Sequence, residues 1–479
     1  MKIVIVGGGT AGWIATWYLS SCHECINIST DEIPIIGVGE GTTGKFVDLF
    51  QLTPKELQSI NALPKLGIKF DGWNKDDTSF WSPIDHTPTA QNYIDYSLYA
   101  IGPTSIFTSL MEDNKTNFSL ENNFVQSNFP DHALHIDAYK TSAFFKEKSL
   151  GRNVKHYNEK VVSVNRENGK IISLDLSGGI NVEAEIYIDC SGFSRVLSDN
   201  SEWIDYSNYL PVNSALVYKK HTEDSKNPYT VAKAMNYGWT WEIPTSKKIG
   251  RGYVYCDKYT SEDEIIKELG DVEKIKSIKF KSGRLSTFMN HNCVSVGLAS
   301  GFLEPLQATS IHTTLIQLEL FAHSFSTPEM LNDIVLVNQY NDTISTLWDH
   351  MRDFVSLHYS GGKTNTEFWT NFIFPDRVEK ILHFAKTRLT RYYDFSDYVP
   401  GDVGQESWNP ILWGLKHFSN CPLDKVLPSD CDTIEWWRSN KLELDTSRYL
   451  SVNEFLQLNY VPFEQSRDDS KSALVGMVF

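Results

Sequence analysis

After Met1 and Lys2, IVIV forms an unbroken apolar run, and after GGGTAG the segment WIATWYLS repeats apolar positions at helical spacing. A β-branched run, a glycine turn and an apolar helix predict the strand–turn–helix start of a parallel sheet. INIS, ending at Ser29, reads as the next strand. From Val161, VVSVNRENGKIISLDL alternates on both sides of Asn168 and Gly169, which predicts a hairpin. AEIYIDCSGF (Ala184 to Phe193) reads as a buried strand returning to the first sheet, and VSVGLASGF as a later one. EPLQATSIHTTLIQLELFAH turns helical in its second half. Beyond about residue 345 the period changes. HMRDFVSLHY, DRVEKILHFAKTRL and TIEWWRSNKLEL are amphipathic, with tryptophans at 348, 369, 408, 413, 436 and 437. The pattern predicts an α/β chain with a Rossmann-type domain over 1–345, built on discontinuous sheets, and a mostly helical C-terminal region over 346–479 that packs against it.

Length and composition agree. At roughly 150 residues per domain, 479 residues suggest two or three packed units, and 41% hydrophobic with 13% aromatic residues can fill a large core. Forty-four basic against 60 acidic residues give a net charge of −16, with no Lys/Arg stripe interleaved with aromatics. Binding to nucleic acid by phosphate neutralisation is therefore not expected. No apolar stretch approaches the ~18 residues that span a bilayer, so no membrane association is expected and the reading is a cytoplasmic protein. The seven cysteines form no dense pattern; Cys22 and Cys25 make a CxxC without the second pair a zinc site wants. No metal is expected.

Candidate chemistry begins at the glycine turn. Gly7, Gly9 and Gly12 satisfy G-x-G-x-x-G between a strand and a helix, where bare backbone can approach a pyrophosphate at the helix N-terminus. The acid that should hold a ribose hydroxyl about 20 residues on is displaced or absent, since the second strand ends at Ser29 with Asp31 and Glu32 beyond. IIGVGEGTTGKF has no second phosphate motif and reads as a loop lying along a ligand.

Further segments carry a family resemblance. YGWTWEIP holds W-x-W-x-I-P at Trp239, Trp241, Ile243 and Pro244, and IGVGEGTT, KLGIKF, GYVYCD, SGR followed by GLASGFLEPL, and RDFVSLHY occur in order. From Gly7 to about Trp408 the chain resembles flavin-dependent halogenases of the tryptophan-halogenase type. The resemblance implies a monooxygenase-like FAD-binding domain in which FADH2 and O2 convert halide to hypohalous acid, with a separate flavin reductase supplying the reduced cofactor. It implies that Lys65 carries the oxidant to a small aromatic substrate, as hydrogen-bonded hypohalous acid or as a haloamine. Lys69, four residues on, is expected at the surface.

By the same resemblance Thr309 and Ser310 stand where backbone amides bind halide, and Trp239 and Trp241 near the passage between flavin and substrate. Thr10 and Ala11 fall in the phosphate turn, Ser29 at the ribose position, and Val38, Gly39 and Glu40 in the flavin strap. Leu298 and Ile311 stand at the isoalloxazine, Val161 at the adenine.

Two motifs depart from the family pattern. The family's E-P-L-E-S-T-G is EPLQATS here, so the acid expected beside the lysine is Gln307, which cannot act as a base. Ser310 replaces a glycine, which is tolerable only if its φ stays negative. The family's F-Y-H-P-F is FWSPI, so Ser82 and Ile84 replace the histidine and phenylalanine that flank an indole. A phenol or a differently held indole is expected, with bromide or iodide used at least as well as chloride. The competing readings are a flavin monooxygenase that hydroxylates directly and a non-catalytic flavin-binding protein.

Overall fold

The glycine turn follows Lys2–Val6, an inner strand of a six-stranded sheet ordered Lys155–Asn158, Glu24–Ser29, Lys2–Val6, Ile186–Asp189, Cys293–Ser295, Met289–Asn290. All neighbours pair parallel except the last. The strands Lys2–Val6 and Ile186–Asp189 are buried along nearly their whole length, which is why KIVIV and IYID run apolar instead of alternating. A computed structural model describes the whole chain except residues 36, 38, 39, 85–104, 122, 123, 128–131, 199, 200, 222–225, 388–398, 418–444 and 458–479.

The hairpin expected at 168–169 joins Val161–Glu167 to Lys170–Leu176. Asn168 (φ 50°) and Gly169 (φ 85°) are both left-handed, as a two-residue hairpin turn requires.

A second, seven-stranded sheet holds Gly238–Pro244, the W-x-W-x-I-P strand, beside Thr230–Met235, Gly67–Asp71 and Phe80–Pro83. A small three-stranded sheet has Ala133–Ile136 in the middle, Glu40–Gly41 on one side and Leu63–Lys65 on the other. Its register sets Gly41 and Leu63 both opposite His135, and Lys65 opposite Ala133. Because strand side chains alternate, Gly41, Leu63, Lys65, Ala133 and His135 share one face.

Helices Thr309–Ser324, Ile334–Leu357, Asp376–Thr387 and Gln405–Gly414 follow. Position 345 falls within Ile334–Leu357, a helix capped by Asp333, whose carboxylate accepts from the amides of Val335 and Leu336. One continuous hydrophobic core includes Ile3 and Ile188 of the first sheet together with Trp348, Phe354, Trp408 and Leu412. TIEWWRSNKLEL lies outside the described residues. Among the described residues no helix is long and apolar enough to cross a membrane.

Candidate active site

A cavity of about 810 Å³ begins at the glycine turn. Gly7 has φ +142° and a Cβ there would stand 2.2 Å from the Cys190 carbonyl oxygen, while one at Gly12 would stand 2.2 Å from the Gly7 oxygen. Both positions are glycine because backbone packs on backbone. Gly9 differs. It caps the helix Thr10–Leu19, and a Cβ there would meet nothing within 4 Å, so it leaves the helix N-terminus open to the cavity. Thr10 and Ala11 line the cavity; Gly12 does not.

Ser29 lines it too, its hydroxyl donating to Asn27 Oδ1 at 2.8 Å and lying 3.1 Å from His156 Nε2. Val161, Leu298, Ile311 and Glu40 complete the predicted lining. Burial, followed by the charge of Asp137, lifts the Glu40 carboxyl to about 7. Val38 and Gly39 lie outside the described residues. An open helix N-terminus, a hydroxyl at the strand end and apolar walls together fit a dinucleotide.

Lys65 is only 3% exposed. Its ammonium donates to the Thr42 carbonyl oxygen at 3.2 Å, and no carboxylate pairs with it among the described residues. Burial without a counter-charge disfavours the charged form and lowers its pKa to about 8. His135, on the same face, is fully buried, with Nε2 2.8 Å from Thr230 Oγ1. Burial and then the Lys65 charge hold its imidazole neutral, well below its usual range. Lys69 is half-buried, its ammonium 5.5 Å above the Trp81 ring, because an indole on the paired strand covers it.

The turn before Thr309–Ser324 carries the Gln307 departure. Gln307 (φ 65°) and Ala308 (φ 56°) are consecutive left-handed residues, each costing of order 1–2 kcal/mol outside glycine. Ser310 is an ordinary helical residue instead, so the feared cost of replacing glycine falls two and three positions earlier. The Gln307 amide nitrogen lies 2.8 Å from His358 Nε2. His358 Nδ1 is 2.9 Å from the Phe354 carbonyl oxygen, which can only accept, so Nδ1 carries the proton and Nε2 accepts from Gln307. Burial lowers His358 to about 4. The hydrogen bond of residue 307 thus goes to His358, not to Lys65.

Thr309 and Ser310 line the cavity at the start of a 16-residue helix, and the buried Thr309 hydroxyl has no partner among the described residues. Free amides at the positive end of a helix suit a small anion. Trp241 also lines the cavity, with its buried indole N–H unpartnered, whereas Trp239 stands behind it and donates to Tyr359 Oη at 3.2 Å. Tyr359 in turn donates to buried Glu304 at 2.8 Å, and burial raises that carboxyl to about 8.

Ser82 is buried opposite Ile68, and the Ile84 amide donates to the carbonyl of Leu66, the residue after Lys65, at 3.1 Å. Neither lines the cavity. They immediately precede residues 85–104, which lie outside the described set. Sequence reasoning did not single out Gly41, His135, Ala308 or His358. SLHY was noticed as a segment, but nothing local marks its histidine as the partner of residue 307.

A profile of the family described as tryptophan halogenase matches residues 2–420. Relatives include the tryptophan 7-halogenase RebH of Lentzea aerocolonigenes, 30% identical in an alignment of 423 positions that covers 77% of this chain and 78% of that protein. The tryptophan 6-halogenase ThaL of Streptomyces albogriseolus is 29% identical in an alignment of 414 positions that covers 77% of this chain and 78% of that protein. Among solved structures, the tryptophan 6-halogenase of Streptomyces toxytricini superposes with a TM-score of 0.83 at 25% identity, covering 95% of this chain and 99% of that one.

Proposed function

This chain belongs to the tryptophan halogenase family, and on that premise we propose that it uses reduced FAD, oxygen and halide to halogenate an electron-rich aromatic ring of the indole or phenol class. The observation that carries the reading is Lys65, a buried lysine beside the cavity wall that has no counter-ion among the described residues, at a pKa of about 8. A structural lysine would be paired or solvated.

FAD bound along the cavity would supply the electrons and activated oxygen that convert halide to hypohalous acid. In this reading Gly9, Thr10 and Ala11 hold its phosphates, Ser29 a ribose, Val161 the adenine, and Leu298 and Ile311 the flavin ring. The amides of Thr309 and Ser310 hold halide, and Trp241 keeps the organic substrate away from the cofactor. A separate reductase supplies reduced flavin, and residues 346–479 cover the substrate side.

Near pH 8 Lys65 has both forms available. Its ammonium can donate a hydrogen bond to hypohalous acid. Its amine can attack the halogen, forming N–X as X–O breaks and water leaves: R–NH2 + HOX gives R–NHX + H2O. The aromatic ring then takes the halogen, loses a proton and restores the amine.

The relatives named above act on tryptophan by name. Here Ser82 and Ile84 stand where the resemblance expects His and Phe, which removes an aromatic sandwich worth about 0.5–1.5 kcal/mol per ring pair. Free tryptophan is therefore expected to be a poor substrate beside a phenol or an indole held differently. The test is mass spectrometry of phenols, indoles and tryptophan incubated with reduced flavin, oxygen and each halide. Halide-dependent ring halogenation is the expected result; hydroxylation at equal rate without halide would sink the proposal.

In equal-concentration competition, bromide should be incorporated at least as fast as chloride. Bromide is easier to oxidise, and a site with Gln307 offers no carboxylate to assist. A clear excess of chlorinated product would remove that role from residue 307.

A further inference from the structure

Gly41 and Ala308 line the cavity, and Lys65 does not. The lysine lies directly behind them. A Cβ at Gly41 would stand 3.2 Å from Lys65 Nζ, 3.6 Å from its Cδ and 3.4 Å from the Ala308 Cβ. The sheet register puts Gly41 on the face that carries Lys65. Gly41 is not in the left-handed region, so its backbone does not require glycine, unlike that of Gly7. What a side chain at 41 would take is the space beside the amine.

We propose that Gly41 is the aperture through which oxidised halogen passes from the cavity to Lys65, with the Ala308 methyl forming its opposite edge. A methyl group is about as large as a halogen atom, so a Cβ at 41 occupies the place the halogen needs beside Nζ. Thr42, the next residue, accepts the lysine's hydrogen bond at 3.2 Å and holds Nζ against this gap. Ala308 sets the gap's width from a left-handed backbone (φ 56°) where any larger side chain would carry the same strain. The inference rests on the proposed delivery of oxidant to Lys65.

The test uses the full chain and its Gly41→Ala, Ala308→Gly and double variants. First, oxidising equivalents are partitioned between halogenated aromatic and a diffusible trap for hypohalous acid, counted per flavin oxidised so that flavin affinity does not enter. Gly41→Ala should lower the product share tenfold or more and raise the trapped share to match; the double variant should recover at least threefold. Second, in flavin-free protein, carbamylation of Lys65 by cyanate is followed by peptide mass spectrometry. It should slow at least fivefold in Gly41→Ala and quicken in Ala308→Gly, whose backbone suits glycine better than alanine. An unchanged partition in Gly41→Ala, or equal cyanate rates in all four proteins, overturns the aperture. If the unmodified chain sends no oxidant to product or trap, the halogenase reading itself fails, whatever the cyanate rates show.

Discussion

Lys65→Met is expected to lower halogenation by roughly 10²–10⁴-fold, the range for losing a group that acts on the reacting atoms, and to raise the temperature of unfolding. The two effects share one cause. A lysine of ordinary pKa 10.5 held at about 8 by burial takes up its proton more readily in the unfolded chain. Below pH 8 the fold therefore carries the whole penalty, of order 3 kcal/mol. As pH rises from 8 to 10.5 the unfolded chain loses that proton too, and the penalty disappears. Methionine has similar length and no charge to desolvate. Its variant should melt several degrees higher at pH 7, with the advantage vanishing toward pH 10.5. Thermal midpoints of both proteins across that range check the linkage, and flavin titration checks the cavity. Weaker flavin binding in step with lost activity would make the lysine structural.

Gln307→Glu should destabilise the fold at pH 8 by about 1–3 kcal/mol, because a carboxylate would face the bare Nε2 of His358 where an amide N–H now donates. In the unmodified chain His358, ordinarily 6.5 and lowered to about 4, contributes stability that is intact above pH 6.5 and declines as pH falls toward 4. A carboxylate at 307 raises the imidazole pKa, so this acid-side loss should shrink while stability at higher pH falls. Thermal midpoints from pH 4 to 9 would show the crossing of the two curves. The pH–rate profile of halogenation is the second readout. An upward shift of the Lys65 limb would mean that the new charge also reaches the lysine, since opposite charges within ~4–6 Å favour ionisation. Superimposable stability curves would show that residue 307 is not bonded to His358.

Much of the fold is written in local order. A strand, its glycine turn and the following helix are fixed by neighbours within 20 residues, so KIVIVGGGTAG announces the first sheet and the open end of its helix. Asn168 and Gly169 announce their turn in the same way, through backbone angles those residues adopt at little cost. The W-x-W-x-I-P strand and the KLGIKF segment point to the chemistry by resemblance. Lys65 could not be located by composition, because a lone lysine among apolar residues is usually solvated.

Its burial is a property of the pairing of Leu63–Lys65 with Ala133–Ile136, 68 residues apart at the Lys65–Ala133 register. The same sheet brings Gly41 within a methyl's reach of the amine. Ser310 looked like the strained position, yet the left-handed angles fall on Gln307 and Ala308, which carry no glycine or asparagine to betray them. The partner of Gln307 comes from a helix 51 residues onward. Periodicity and turn chemistry act between neighbours along the chain and can be read from order alone. Desolvation, an exchanged hydrogen-bond partner and the width of a gap depend on atoms that meet only after the sheets close, and those decided the site.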